Sequence, residues 1–289
     1  MKKARLIINA DDFGLTAGVN KGITETIRNG LVTSTTVMVN MPHAPKILEL
    51  AREFPHIGVG VHINLTQGKP VSERDLVRSL LREDGEFLGE EDLMKRSFLR
   101  KLNLTEVYSE VVAQINRLRE WGIQPTHIDS HQRNHLFPGI YPTVLKAALN
   151  CRVSKIRTHR RWFVCCNSND RSGSFLQYHI KSPRKILTWI FSRYRRAFAV
   201  RKGFACPDWL ISPLEGASLS FTEKFCKAVR ALPDGISELV THPAYNCEEL
   251  AGYSTYTFQR QNEMDALESK QLKEEIQENG VEMINYGNL

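Results

Sequence analysis

Leu6-Ile7-Ile8-Asn9-Ala10-Asp11-Asp12-Phe13-Gly14, residues 6–14, is an apolar run that ends in two adjacent carboxylates. Leu6-Ile7-Ile8 reads as a buried strand, as near-continuous aliphatic runs do in parallel sheets. A helix is expected from Gly22 to Asn29, closed by Gly30. The same strand-then-helix order recurs along the chain. Strands are read at Thr35–Val39, Ile57–Leu65, Thr126–Asp129, Ser237–Thr241 and Glu282–Tyr286. Helices are read at Pro45–Arg52, Tyr108–Trp121, Tyr141–Leu149, Thr222–Leu232 and Glu263–Glu278. Alternation of this kind implies a mostly parallel sheet with helical crossovers.

The 289 residues suit one α/β barrel, TIM-barrel-like but distorted or with fewer than eight regular repeats. An open doubly wound sheet is the alternative. One domain is expected over 1–289, with insertions near 69–104 and 160–207. The first is charged and reads as a lid or surface insertion. Within the second, Arg171 to Pro207 holds nine Lys or Arg and no acid. Residues 182–202 can form a helix with Leu187, Ile190, Phe191, Tyr194 and Phe198 on one face. That helix either packs on the core with a solvated basic face or lies on an anionic membrane.

The net charge of +7 favours anionic partners, but no nucleic-acid-binding motif accompanies it. Six cysteines without a CxxC pair argue against a cysteine zinc site and read as reduced thiols in a cytoplasmic protein. The run from Ala4 to Ala10 after Met1-Lys2-Lys3 is too short and too soon charged for a secretory signal, and no stretch is apolar enough to span a bilayer.

Ionisable residues collect at strand ends. Strand one delivers Asp11 and Asp12, strand three His62, and the late strand His242. His127, Asp129 and His131 stand at i, i+2 and i+4, which places them on one face of an extended strand. In a parallel barrel those ends share one rim, where active sites are built. Two imidazoles and a carboxylate, His62, His131 and Asp12, suit a divalent ion with positions left for water and substrate. Asp11 would then serve as general base and His242 would protonate a leaving amine. Asp129 could orient a ligand histidine through its second nitrogen, His127 reads as structural support, and His135 as a pocket residue. Each has a plainer reading. The Asp11-Asp12 pair could cap a helix, and His62 could be an ordinary core histidine. His43, His56, His159 and His179 read as ordinary.

These segments resemble the YdjC-like carbohydrate deacetylases. The matching pieces are Asn9–Gly14, Asn29–Thr36, Gly60–Thr66, Pro125–Gln132, His242–Ala244 and Ile284–Tyr286, in family order. The resemblance implies a barrel related to the polysaccharide deacetylase fold and removal of an N-acetyl group from an amino sugar, in an oligosaccharide or a lipid-linked glycan. It implies a magnesium or zinc ion on Asp12, His62 and His131, a catalytic carboxylate at Asp11 and a late histidine at His242. It also implies an arginine near the pocket at Arg157. Nitrogen-rich coordination is easier to reconcile with zinc. One departure stands out: many relatives carry a histidine where this chain has Arg133, in His131-Gln132-Arg133-Asn134-His135. A cation there would read an anionic substrate group. Hydrolysis of another bond, such as a phosphoester, and a non-catalytic carbohydrate binder are the competing readings. The partners expected are an acetylated amino sugar, an anionic membrane through 182–202 and a second copy of the chain, and not nucleic acid.

Overall fold

The computed structural model describes residues 4–164, 193–213 and 219–289. Its strands are β1 (Ala4–Phe13), β2 (Ser34–Val37), β3 (Gly58–Ile63), β4 (Ile128–Ser130), β5 (Arg161–Val164), β6 (Trp209–Pro213), β7 (Gly235–Thr241) and β8 (Glu282–Met283). They pair in parallel in the order β4-β3-β2-β1-β7-β6-β5. The chain just before β5 joins the two ends: Lys155 bridges Ala205, and Ile156 bridges Ile128 of β4. The sheet therefore curls into a distorted barrel rather than an open doubly wound layer. β8 pairs only with Arg5 and Leu6 at the start of β1.

The helices are α1 (Ala17–Arg28), α2 (Ile47–Glu53), α3 (Glu90–Phe98), α4 (Leu104–Glu120), α5 (Ile140–Asn150), α6 (Phe221–Arg230), α7 (Glu248–Ala251), α8 (Phe258–Glu268) and α9 (Lys270–Glu278). Residues 193–201 are also helical. α1 begins five residues before the expected start because Thr16 caps it, accepting from the Val19 amide at 3.1 Å. Val19, Ile23 and Ile27 form its buried face, and burying each such side chain contributes about 1.5–3 kcal/mol.

Three expectations need correction. The helix read over Glu263–Glu278 is two helices, because Ser269 is extended and caps the second one through the Leu272 amide. The last strand stops at Met283, not Tyr286. The range 160–207 is not wholly an insertion, since β5 lies inside it and pairs with β6. The aromatic run of β5 was obscured by the basic composition around it.

Residues 69–104 fold against α4, where Glu110 accepts the Val71 and Ser72 amides at 2.9 Å each. Of the basic helix, Leu187, Ile190, Phe191, Arg184 and Lys185 lie outside the described residues, as do His179, Cys165 and Cys166. In the described part, Phe198 packs toward Tyr141 of α5, with ring centroids 6.3 Å apart, and the Tyr141 hydroxyl donates to the Arg195 carbonyl. Tyr194 stays 64% exposed. That part of the helix is thus anchored on the barrel by one face. No described helix is long and apolar enough to cross a membrane.

Candidate active site

Neighbouring residues of a strand point to opposite faces. Asp11 and Asp12 nevertheless both line one pocket. The β1–β2 register shifts between Ala10 and Phe13, and Asp12 has a φ of 70°. A bulge with a left-handed residue re-aims a side chain in this way, and aspartate tolerates that conformation better than most. The local sequence thus turns a strand end into a double carboxylate.

Asp12 meets two imidazoles. Its Oδ1 is 2.8 Å from His131 Nδ1 and 3.2 Å from His62 Nε2. Each of the three offers one ligand atom, all within 4.8 Å of one another. Asp11, His62 and Asp129 form a second such group. The first is the better cation site, because the oxygens of the second are already engaged. Asp11 holds Arg157, and Asp129 Oδ1 accepts His62 Nδ1 at 2.7 Å. An acceptor-only carboxylate fixes the proton on Nδ1 and leaves Nε2 facing Asp12. Thr36 donates to the other Asp129 oxygen at 3.1 Å. His131 Nε2 is buried with no partner among the described residues. These donors fit a divalent ion: two nitrogens and one carboxylate oxygen, held by a second layer of hydrogen bonds.

Arg260 of α8 was not foreseen. Its Nη2 donates to Asp12 Oδ2 at 2.6 Å, and the side chain is 4% exposed. Asp12 therefore turns one oxygen to Arg260 and the other to the histidines. Burial raises the proton affinity of Asp12, but His131 and Arg260 outweigh it and hold the carboxyl well below its usual range. Burial likewise opposes charge on His62, yet Asp129, with Asp12 and Asp11, lifts its pKa to about 10.

Arg157 is spent on carboxylates. Nη1 and Nη2 grip both oxygens of Asp11 at 2.6 Å, Nη2 also reaches Asp129 at 2.8 Å, and Nε donates to Glu238 at 2.9 Å. Burial pushes the Asp11 pKa up, but Arg157 more than reverses this and holds it at about 2. Asn9 adds a donor to Asp11 Oδ1 at 2.8 Å. The base candidate is thus fixed and ionised.

His242 follows β7, with Nε2 4.0 Å from Asp11 Oδ2. Glu263 of α8, also not foreseen, orients it. Its Oε2 accepts the His242 amide and lies 3.7 Å from the imidazole Nδ1. The Tyr256 hydroxyl steadies the other Glu263 oxygen at 2.5 Å. Burial disfavours charge on His242, but Glu263 and Asp11 raise its pKa overall; at one-third exposure, solvent tempers the effect.

A cavity of about 750 Å³ opens over these groups. One part of its lining carries Gln132, Arg133, His159 and Arg161, and another Tyr253, Ser254, Thr255 and Tyr256. Arg133 is exposed at this mouth, with φ values of 49° and 56° at Gln132 and Arg133. His135 is fully buried against His159, with ring centroids 5.0 Å apart, and it is His159 that lines the cavity. Burial holds both rings well below the usual histidine range. His127 is remote from the mouth, stacked on Tyr286. Gly60 leaves room for it: a Cβ there would stand 2.5 Å from the imidazole.

The fold and site define a parallel barrel that gathers a carboxylate–histidine cluster, a paired aspartate and a histidine at one mouth. Asp12, His62 and His131 within it could hold a divalent cation. The family model described as YdjC-like protein matches residues 5–278, and the chain belongs to that family. It is 32% identical to a carbohydrate deacetylase of Geobacillus stearothermophilus, over 97% of this chain and 96% of that one. It is 33% identical to a chitooligosaccharide deacetylase of Proteus mirabilis, over 98% of each. A crystal structure from Enterococcus faecalis V583, of a protein assigned to cellobiose-phosphate cleavage, superposes with a TM-score of 0.75. That protein is 30% identical, and the match covers 99% of this chain and 98% of the other.

Proposed function

We propose that the chain is a metal-dependent carbohydrate N-deacetylase that releases acetate and a free amine from an acetylated amino sugar. The observation that carries this reading is the meeting of Asp12, His62 and His131 with Asp11 and His242 in one cavity. Kinship with the Geobacillus and Proteus deacetylases supports it.

A divalent ion, zinc or magnesium, held by Asp12, His62 and His131 would supply Lewis acidity, polarising the acetyl carbonyl and acidifying water. Asp11 accepts the proton of the attacking water. A carboxylate with a pKa near 2 is a weak base, but the water oxygen becomes strongly acidic as it bonds to carbon, so transfer turns favourable late in the step. His242, whose charged form Glu263 favours, then donates to the departing nitrogen. All three nitrogens of Arg157 engage carboxylates, so its main role is to hold Asp11.

The test is acetate release from a panel of N-acetylated sugars with and without a chelator. Chelator-sensitive acetate is expected. Phosphatase activity without acetate would replace this reading with phosphoester hydrolysis, and sugar binding indifferent to chelation would replace it with a binding protein.

Arg133 at the rim supports a substrate bearing an anionic group, such as a phosphate or uronate, and the phosphorylated disaccharide named for the Enterococcus relative accords with it. Arg133→Ala is expected to lower kcat/KM about 10-fold or more on an anionic amino sugar, equivalent to one charge-assisted hydrogen bond, and to leave a neutral one nearly unchanged. Equal loss on both substrates would refute the assignment.

A further inference from the structure

We propose that Tyr286 and Glu238 are positioning residues, a clamp inside the barrel that fixes the Arg157 guanidinium and thereby Asp11. This rests on the deacetylase reading above.

Glu238 lies in the middle of β7, paired in register with Ile7, and its side chain is fully buried. Val240, two residues on and so on the same face, lines the cavity. Glu238 is therefore one layer below the site, inside the barrel. A lone carboxylate there is costly, and an aliphatic side chain would fill the space at less cost. What Glu238 does instead is divide its two oxygens. Oε1 accepts Arg157 Nε at 2.9 Å, and Oε2 accepts the Tyr286 hydroxyl at 2.6 Å.

Tyr286 is held on three sides. Its amide donates to Ser34 Oγ at 3.1 Å, and its ring is stacked on His127 with centroids 3.6 Å apart and planes 4° off parallel. The hydroxyl supplies the third contact. With Nε on Glu238 and both terminal nitrogens on Asp11 and Asp129, the guanidinium cannot rotate without losing a charged partner. Without Glu238 the Nε anchor is lost, and the guanidinium, held only by Asp11 and Asp129, can pivot about its stem and carry Asp11 with it.

The groups facing Glu238 are Arg157, Tyr286 and, farther off, Asp11 of β1 and Asp129 of β4. Burial lifts its pKa to about 7, and Arg157 and the Tyr286 hydroxyl keep it from rising further. Tyr286→Phe retains the ring and its stack and deletes only the hydroxyl. We expect kcat to fall about 10-fold or more with KM within about twofold, because a misplacement of 1 Å can cost about 10²-fold. A step near neutral pH in the kcat/KM profile should move to higher pH in Tyr286→Phe and vanish in Glu238→Gln.

A purely structural role predicts a lower Tm with kcat, KM and pH profile superimposable on wild type, and that result would overturn the clamp. If the wild type releases no acetate from any sugar, the deacetylase reading fails separately. The clamp is then judged on the crystal structure of Tyr286→Phe: a guanidinium displaced by about 1 Å or more from Asp11 upholds it, and an unmoved one overturns it.

Discussion

Asp11→Asn should lower kcat by about 10²–10⁴-fold, the usual contribution of a positioned general base. Metal content should be retained, because Asp12, His62 and His131 are untouched. The substitution keeps shape but reverses one hydrogen bond: the asparagine NH₂ would face an Arg157 N–H where a carboxylate oxygen now accepts at 2.6 Å. Some stability should be lost as well. Breaking a buried pair by removing one partner commonly costs about 3–5 kcal/mol, and here less, since Arg157 keeps Asp129 and Glu238. The measurement is kcat and bound metal on the same purified variant, at a temperature well below its Tm. Activity within tenfold of wild type, with metal bound, would mean that the proton goes elsewhere. The pH dependence offers a second check. A base held near pKa 2 remains ionised throughout the working range, so any acid limb above pH 4 belongs to another group.

The strand-end residues were legible because the logic of a parallel barrel is simple. Apolar strands that finish in Asp or His must deliver them to one rim, and Asp11, Asp12, His62, Asp129, His131 and His242 obey it. The positions of Arg260 and Glu263 could not be read the same way. They sit on α8, whose apolar pattern is weak, and no local signal tells that Arg260 will meet Asp12 across 248 positions of chain. Their spacing of three, which puts them on one helix face, was the available cue. Glu238 was obscured by its setting, since a lone acid inside a strand ordinarily reads as outward-facing. His159 stands two residues after Arg157, which was the available cue to its place at the cavity. The break between α8 and α9 was signalled by Ser269, a good N-cap lost within a continuous polar pattern. Periodicity reveals which residues share a face; it does not reveal which side of a barrel wall that face becomes.

His62→Ala should remove measurable metal binding and turnover together, a larger loss than the roughly 10–100-fold expected for an outer partner such as Asp129→Asn. The reason lies in competition between cation and proton. In the metal-free fold His62 is buried between Asp12 and Asp129, and those carboxylates hold its proton to a pKa of about 10. A histidine must be neutral to bind a metal, so below that pH the ion has to displace the proton. Apparent affinity should therefore rise with pH, by up to about one logarithmic unit per pH unit while one proton is displaced. Stability of the metal-free protein follows the opposite course. The folded pKa lies above the unfolded value of 6.5, so the stabilisation from protonated His62 is complete below pH 6.5 and is lost as pH climbs through about 10. The metal takes over the proton's place, so the gain in Tm on adding the ion should grow steadily from pH 6.5 toward pH 9, and should stay flat in His62→Ala. Thermal unfolding across that range, with and without the ion, measures it. A gain independent of pH in the wild type would show that His62 carries no proton for the ion to displace, and metal binding retained in His62→Ala would overturn the ligand assignment.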